Sequence, residues 1–280
     1  MSSALSGAAK IAGVIGCPVS HSKSPRLHGY WLQKYGVDGA YVPLPVAPDD
    51  LRAAVQGLMK AGFAGLNVTL PHKEAVLSLV DELDPTAARI GAINTLIFTE
   101  NDQILGRNTD AFGFIENLRD RQPNLTLDGK VTVILGAGGA ARAVIAALQE
   151  ADVGEIRLSN RTRQKADGLA AEFGGNITVV PWAERSDCLS DAALLVNSTN
   201  LGMTGQAPLE LDLGELPGDA VVNDIVYAPL ETDLLATASA RGLATVDGLG
   251  MLLHQGRPGF EAWFGVFPEV DEDLRHAVLA

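Results

Sequence analysis

Short apolar runs alternate with segments of helical periodicity along this chain, and the alternation sets the order of its elements. From Ile11 the runs are IAGVI, SPRLHGYWLQKYG, AYVPLPV, DDLRAAVQGLMKAG and FAGLNVTL. They predict a β-α-β-α-β unit with parallel strands, because parallel neighbours need a helical crossover between them. Asp49 or Asp50 is placed to cap the second helix and Gly62 to close it. HKEAVLSLVDEL, after Pro71, predicts a further helix. INTLIFT and QILGR then read as strands joined through turn residues Glu100 to Asp102, an antiparallel pair expected at the sheet edge. FGFIENLRDR reads as a helix. A second series follows, with VTVIL, EIRLSN, ITVV, LLVNST, AVVNDIV and LATV as strands and ARAVIAALQEA, TRQKADGLAAEFG and ETDLLATASARG as helices. The chain closes on two amphipathic helices, GLGMLLHQGRPGFEAWFG and EVDEDLRHAVL, with no strand between them.

The joint between VTVIL and ARAVIAALQEA carries a ligand signature. Gly136, Gly138 and Ala141 fit the G-x-G-x-x-G/A spacing, in which the first glycine makes the turn, the second lets backbone approach a pyrophosphate and the third small residue lets helix pack on strand. The helix starting near Gly138 would aim unpaired N–H groups and a positive dipole end at that phosphate. Glycine spacing alone is a weak signal; the strand before it and the alanine-rich helix after it strengthen it. About 20 residues further on, an NAD enzyme places an acid to bond the ribose 2′-hydroxyl. This chain has Asn160, Arg161 and Thr162 there, with Lys165 close by. Two cations and no acid suit the 2′-phosphate of NADP. The competing reading is an ordinary surface helix that opens with basic residues, against which stand the acidity of the chain and the poor fit of cations to a helix N-terminus.

Composition narrows the classes of partner. The 280 residues are 47% hydrophobic and 20% charged, enough for two ordinary globular domains. Thirty-four acidic against 21 basic residues leave a net charge of −13, which argues against nucleic acid and anionic membranes. There is no apolar run long enough to span a bilayer, and MSSALSGAAK has neither the basic start nor the apolar core of a leader, so a cytoplasmic protein is expected. Cys17 and Cys188 are far apart and in no paired motif, which offers neither a disulfide framework nor a metal site.

Four stretches could carry chemistry. In GCPVSHSKSP, Ser22 and Ser24 are two apart, so extended backbone would point both hydroxyls one way, able to grip a carboxylate; alternatively Ser24 caps a helix beginning at Pro25. In NVTLPHK, Asn67 and Thr69 share a side at a strand's C-terminal end, where ligands gather in open α/β sheets. Lys73 falls in the first turn of the helix expected next, where a cation opposes the dipole; it is either functional or simply solvated. Asn94 of GAINT and Asp110 of GRNTD stand at strand ends, where polar side chains also serve as turn formers and caps.

Taken together and in this order, SxSP, NVTLPHK, GAINT, GRNTD, GAGGAARA, NRT, NSTNLGM, YAPLET and GLGMLLHQ resemble the shikimate dehydrogenase family over residues 16 to 255. The resemblance implies an α/β fold of two domains. Residues 1–109 would form the substrate domain, 110–247 a Rossmann-type NADP domain, and 248–280 helices that return to the first. It implies NADP-dependent interconversion of 3-dehydroshikimate and shikimate, a step toward the aromatic amino acids, without a metal. Ser22 and Ser24 would hold the substrate carboxylate, and Thr69, Asn94 and Gln255 its hydroxyls. Lys73 and Asp110 would be the catalytic pair, with Tyr227 close to the substrate. Gly136, Ala137, Gly138, Gly139, Ala140, Asn160, Arg161, Thr162, Lys165 and Gly248 would bind the cofactor. The chain departs from the pattern at Lys165, where many relatives have arginine, and at Asn200, where serine or threonine is usual. An NAD-linked quinate/shikimate dehydrogenase is the nearest rival, and a non-catalytic sensor is the rival of another class. Oligomeric state is not legible in the sequence, and a homodimer stays open.

Overall fold

The alternation resolves into two separate sheets, one in each of two compact units. The computed structural model describes residues 5–280; the first four, part of the stretch read above for a leader, lie outside the described residues. One unit holds the described residues up to Thr109 together with Leu253–Ala280, and the other holds Asp110–Leu252.

The first unit runs β1 (Lys10–Gly16), α1 (Ser24–Lys34), β2 (Gly39–Pro45), α2 (Leu51–Lys60), β3 (Phe63–Val68), β4 (Glu82–Leu83), α3 (Pro85–Ile90), β5 (Thr95–Phe98) and β6 (Ile104–Arg107). Its strand order is β2-β1-β3-β5-β6-β4. β1 pairs in parallel with β2 and β3, as the helical crossovers require, whereas β5 runs antiparallel to both β3 and β6. The end of β3, the start of β5 and the end of β6 therefore meet at one edge of the sheet. On one face, Ile15, Leu66, Val68 and Leu96 pack with Val55 and Leu51 of α2. Each such side chain, fully buried, contributes roughly 1.5–3 kcal/mol.

The second unit runs α4 (Asp110–Arg121), β7 (Val131–Leu135), α5 (Gly139–Glu150), β8 (Glu155–Ser159), α6 (Arg163–Phe173), β9 (Ile177–Val180), β10 (Ala192–Asn197), β11 (Val221–Asp224), α7 (Asp233–Ala240) and β12 (Ala244–Val246). The pairings between its strands are all parallel, in the order β12-β11-β10-β7-β8-β9. The chain leaves β7 to one side and returns to β10 on the other, so the switch point of a doubly wound sheet lies between them. The central strands β7 and β10 are buried and read as nearly continuous apolar runs, and α5 is alanine-rich where Ala141, Ala143, Ala146 and Ala147 are buried.

α8 (Leu249–Phe264) and α9 (Glu272–Leu279) end the chain. The division between units falls inside α8, later than the return at 248 that the resemblance implies. Its first turn stays with the second unit because Asn117 of α4 donates to the Asp247 carbonyl at 2.8 Å, and Asp247 in turn receives the Leu249 N–H. In the first unit Trp263 of α8 donates to the Leu96 carbonyl at 3.0 Å, and α9 packs on α1.

Three local expectations give way. HKEAVLSLVDEL is not an α-helix: Ala75–Leu79 is a short 3₁₀ turn and Glu82–Leu83 is strand β4. The Asp84 side chain accepts from Ala87 N–H and opens α3, taking the end of that apolar stretch away from a helix. β4 pairs with β6, so the β5–β6 pair is covered rather than at the sheet edge. Asp50 stands at the N-cap of α2 but makes no side-chain cap, because the 3₁₀ turn Pro48–Asp50 leads directly into the helix; Gly62, at φ +85°, does close it.

Candidate active site

In the first unit the site residues gather where β1, β3, β5 and β6 end. Thr69 N–H donates to the Ile15 carbonyl at 3.0 Å and Cys17 N–H to the Leu70 carbonyl at 3.1 Å, which seats NVTLPHK beside the start of the serine segment. Ser22 and Ser24 do not lie on extended backbone. Lys23 is αR, with φ −86° and ψ −9°, and α1 begins at Ser24 itself without a side-chain cap. The backbone N–H of Ser24 donates to Ser22 Oγ at 3.3 Å. The capping role considered for Ser24 is thus not the one it takes.

Lys73 does not lie in a helix turn, since the 3₁₀ turn starts only at Ala75. The dipole argument for its function therefore lapses. What the fold supplies instead is position: the Lys73 carbonyl accepts from Ile93 N–H at 2.8 Å, pinning the half-buried lysine beside GAINT. Next to Ile93, Asn94 is buried and hydrogen-bonded. Its Nδ2 donates to Thr109 Oγ1 at 3.0 Å and, more loosely, to Gln255 Oε1 at 3.4 Å, while Oδ1 accepts from Thr109 N–H at 2.9 Å. Gln255, more than 140 positions away in the chain, reaches this cluster only because α8 folds back on the sheet.

Tyr41, which the sequence reading passed over, and Asn67 underlie this edge. Tyr41 donates its hydroxyl to Asn67 Oδ1 at 2.6 Å, and Asn67 Nδ2 donates to the Asn94 carbonyl at 3.1 Å and Thr95 Oγ1 at 3.2 Å. Asn67 is buried in this relay rather than sharing an open side with Thr69. Burial raises the Tyr41 hydroxyl well above its ordinary pKa, and the neighbouring Ser24 side chain opposes that rise. The available signal was Tyr41 itself, since a tyrosine inside an apolar strand must find a partner for its hydroxyl. Behind it His28 stacks on the Tyr41 ring at 4.0 Å, boxed in by Trp31, Phe260 and Trp263. Burial pushes the His28 imidazole down to about 3, against a smaller opposing pull from Asn67.

In the second unit the glycine turn follows β7. Gly136 has φ +111°, and a Cβ there would lie 2.6 Å from Ser198 Oγ, so the turn needs glycine on both counts. Its N–H donates to the Ser159 carbonyl at 2.8 Å, bringing the end of β8 alongside. Ala137 and Ala140 are half-exposed, and Gly138 and Gly139 are exposed with open space around them. α5 starts at Gly139 with no side-chain cap and no acid in its first turn. The helix thus presents bare N–H groups and its positive end, the arrangement that receives a phosphate. Ala141 is wholly buried against the sheet.

Asn160 folds back to the Thr162 carbonyl at 2.8 Å, and Thr162 occupies the N-cap of α6 without making a cap bond. Arg161 and Lys165 are exposed and make no ion pair among the described residues, while Arg163 pairs with Asp167 at 3.5 Å. Gly248 is buried, and a Cβ on it would lie 2.1 Å from the Ile225 carbonyl, so close backbone packing by itself requires glycine there. Tyr227 is half-buried in the loop after β11, and burial raises its hydroxyl pKa. Asp110 is the half-buried first residue of α4, where a carboxylate suits the helix dipole. Among the described residues no cluster of His, Cys, Asp and Glu could hold a metal ion.

Comparison with known proteins adds a separate line. A family model described as "Shikimate dehydrogenase substrate binding domain" matches residues 14–96, and one described as "Shikimate / quinate 5-dehydrogenase" matches residues 118–203. The chain is 60% identical to a shikimate dehydrogenase (NADP(+)) of Paramagnetospirillum magneticum, over 99% of this chain and 100% of that one. It is 58% identical to that of Rhodospirillum rubrum, over 98% and 99%. Among solved structures it is similar to shikimate 5-dehydrogenase from Thermus thermophilus in complex with NADP(H) and shikimate, at TM-score 0.85 and 38% identity over 96% of this chain and 98% of that one. Quinate dehydrogenase from Corynebacterium glutamicum in complex with NAD is similar too, at TM-score 0.90 and 31% identity over 97% and 99%.

Proposed function

The chain belongs to the shikimate dehydrogenase family, and from that premise we propose how its residues divide the reaction. It is an NADP-dependent oxidoreductase acting on a CH–OH group, interconverting 3-dehydroshikimate and shikimate. What supports the division is that Thr69 and Lys73 are fastened by backbone bonds beside β1 and the GAINT segment, and that Asn94 is bonded to Gln255. Two hydroxyls can donate to a carboxylate, and amide and hydroxyl groups beside them can read vicinal alcohols. We assign Ser22 and Ser24 to the substrate carboxylate, and Thr69, Asn94 and Gln255 to its hydroxyls.

When bound, NADPH supplies the hydride. The residues present fit it: the uncapped start of α5 at Gly138, Gly139 and Ala140 would hold the pyrophosphate, and Arg161 with Lys165 the 2′-phosphate. Charge grows on the carbonyl oxygen of 3-dehydroshikimate during reduction. Lys73 stabilises that charge and delivers the proton to the same oxygen. We assign Asp110 as the second member of the catalytic pair, accepting a hydrogen bond from a substrate hydroxyl, and Tyr227 to the substrate. Two free cysteines outside any paired motif suit a reducing compartment, and we place the enzyme in the cytoplasm.

Steady-state assays of the purified chain with shikimate or quinate, each with NADP or NAD, test this reading. Turnover should be highest with shikimate and NADP. Faster turnover of quinate with NAD would replace it by the rival dehydrogenase, and no turnover of any pair would leave a binding protein.

A further inference from the structure

A wholly buried carboxylate at the end of β11 ties together three segments of the second unit. Asp224 lies opposite Asn197 of β10 in the register. Its Oδ1 accepts from Asn197 Nδ2 and from Val226 N–H, both at 3.0 Å, and its Oδ2 accepts from Thr232 Oγ1 at 2.7 Å. Burial raises the Asp224 carboxyl pKa, and the three donors oppose it.

Each donor belongs to a different piece of chain. Asn197 organises the NSTNLGM loop: its Oδ1 takes Thr199 N–H and Oγ1–H, and its Nδ2 also reaches the Leu201 carbonyl at 3.2 Å. Val226 opens the loop that carries Tyr227. Thr232 closes that loop as the N-cap of α7, its hydroxyl accepting from Leu235 N–H. Because the backbone N–H of Leu235 fills a lone pair on Thr232 Oγ1, the hydroxyl proton is left for Asp224. Both ends of residues 225–231 are therefore held by one carboxylate. Thr204 N–H donates to the Ala228 carbonyl at 2.7 Å and fastens the two loops to each other.

We propose that Asp224 and Thr232 are positioning residues for the reaction, holding the YAPLET loop, and with it Tyr227, in its working place. The inference rests on the substrate role assigned to Tyr227 above. A carboxylate holding three donors in a buried place is strong because a donor left unpaired there carries its desolvation cost, and a loop of seven residues pinned at both ends has little freedom left.

Thr232→Val removes the hydroxyl at nearly constant shape, and Thr232→Ser restores it. We expect Thr232→Val to lower kcat/KM for shikimate about tenfold, the size of one lost charge-assisted hydrogen bond, with the Kd for NADP changed less than twofold. Thr232→Ser should recover most of the loss. In a Tyr227→Ala background, Thr232→Val should add almost nothing, because the side chain it positions is gone. An equal loss in both backgrounds, or no loss in the first, overturns the proposal. Hydrogen exchange gives a readout that does not depend on turnover: Thr232→Val should speed exchange in residues 225–231 and leave α5 unchanged. If shikimate is not turned over at all, the substrate reading falls and the exchange pattern alone decides the clamp; unchanged exchange at 225–231 overturns it. Should Thr232→Val not fold, Asp224→Asn, which keeps Oδ1 but offers Thr232 a donor instead of an acceptor, is measured in the same way.

Discussion

Lys73 and Ser22 separate transition-state from ground-state work at the level of single side chains. An ammonium is matched to its target only when the oxygen becomes negative, so Lys73→Ala should lower kcat by about 10² to 10⁴ and change KM for shikimate only a few fold. Lys73→Arg keeps charge without a compact, transferable proton and should recover little. Ser22→Ala, which weakens a contact made equally in both states, should mainly raise KM. A large KM effect for Lys73→Ala with kcat near wild type would make Lys73 an anchor and move the search for the acid to Tyr227. His28 carries a different prediction, about stability. Its imidazole titrates near 3 in the fold and ordinarily near 6.5. Below 6.5 the unfolded chain takes up a proton that the folded one refuses, so stability is full above that pH and drains as pH falls toward 3. Every tenfold rise in acidity across the window costs about 1.4 kcal/mol. His28→Phe, which keeps a ring to stack on Tyr41, should flatten this dependence in urea titrations at pH 7, 5 and 4. An unchanged slope would mean that His28 protonates without cost.

The two ends of a dinucleotide test the turn and helices of the second sheet separately. Arg161→Ala should lower kcat/KM for NADP by about tenfold to a hundredfold, as a charged hydrogen bond is worth roughly 1.5–3 kcal/mol, and leave NAD almost untouched. Equal losses with both cofactors would make Arg161 a support of the fold. Gly136→Ala should act on both cofactors alike, since φ +111° and the Ser198 hydroxyl both oppose a Cβ, and the turn rather than one contact is lost. The same strands explain why some element predictions succeed and others do not. Long segments such as α5 announce themselves by their own periodicity. The stretch after Lys73 has helical periodicity as well, yet pairing of Glu82–Leu83 with β6 and the Asp84 cap outweigh it. Propensity loses there to a strand partner more than 20 positions away.

For the molecule as a whole, two compact units imply two separable binding events. Shikimate alone should slow hydrogen exchange at the ends of β1, β3 and β5, and NADP alone at the turn after β7 and the start of α5. Either ligand at a hundred times its Kd should stabilise the unit it occupies by about 2.7 kcal/mol. Protection of the turn after β7 by shikimate alone, or of the ends of β1, β3 and β5 by NADP alone, would refute the assignment of roles. The net charge of −13 makes both anionic ligands work against the overall field. Their binding relies on local devices, the serine pair in one unit and helix amides with Arg161 and Lys165 in the other.

The succession of elements along each α/β series, the glycine turn and the missing acid after β8 could all be read from the chain, because each depends on residues within about 30 positions of one another and on the backbone chemistry they permit. Sequence likewise brought Asn94, Gln255 and Lys73 forward through their motifs. What it could not supply was their company. Asn94 meets Gln255 because α8 returns to the first sheet, Tyr41 meets Asn67 because β2 and β3 flank β1, and Asp224 gathers Asn197 and Thr232 because β10 and β11 pair in one register. A polar side chain shows in sequence only that it needs partners. Which partners it finds is decided when distant strands pack and water leaves, since only then does each unpaired donor or acceptor carry its full desolvation cost.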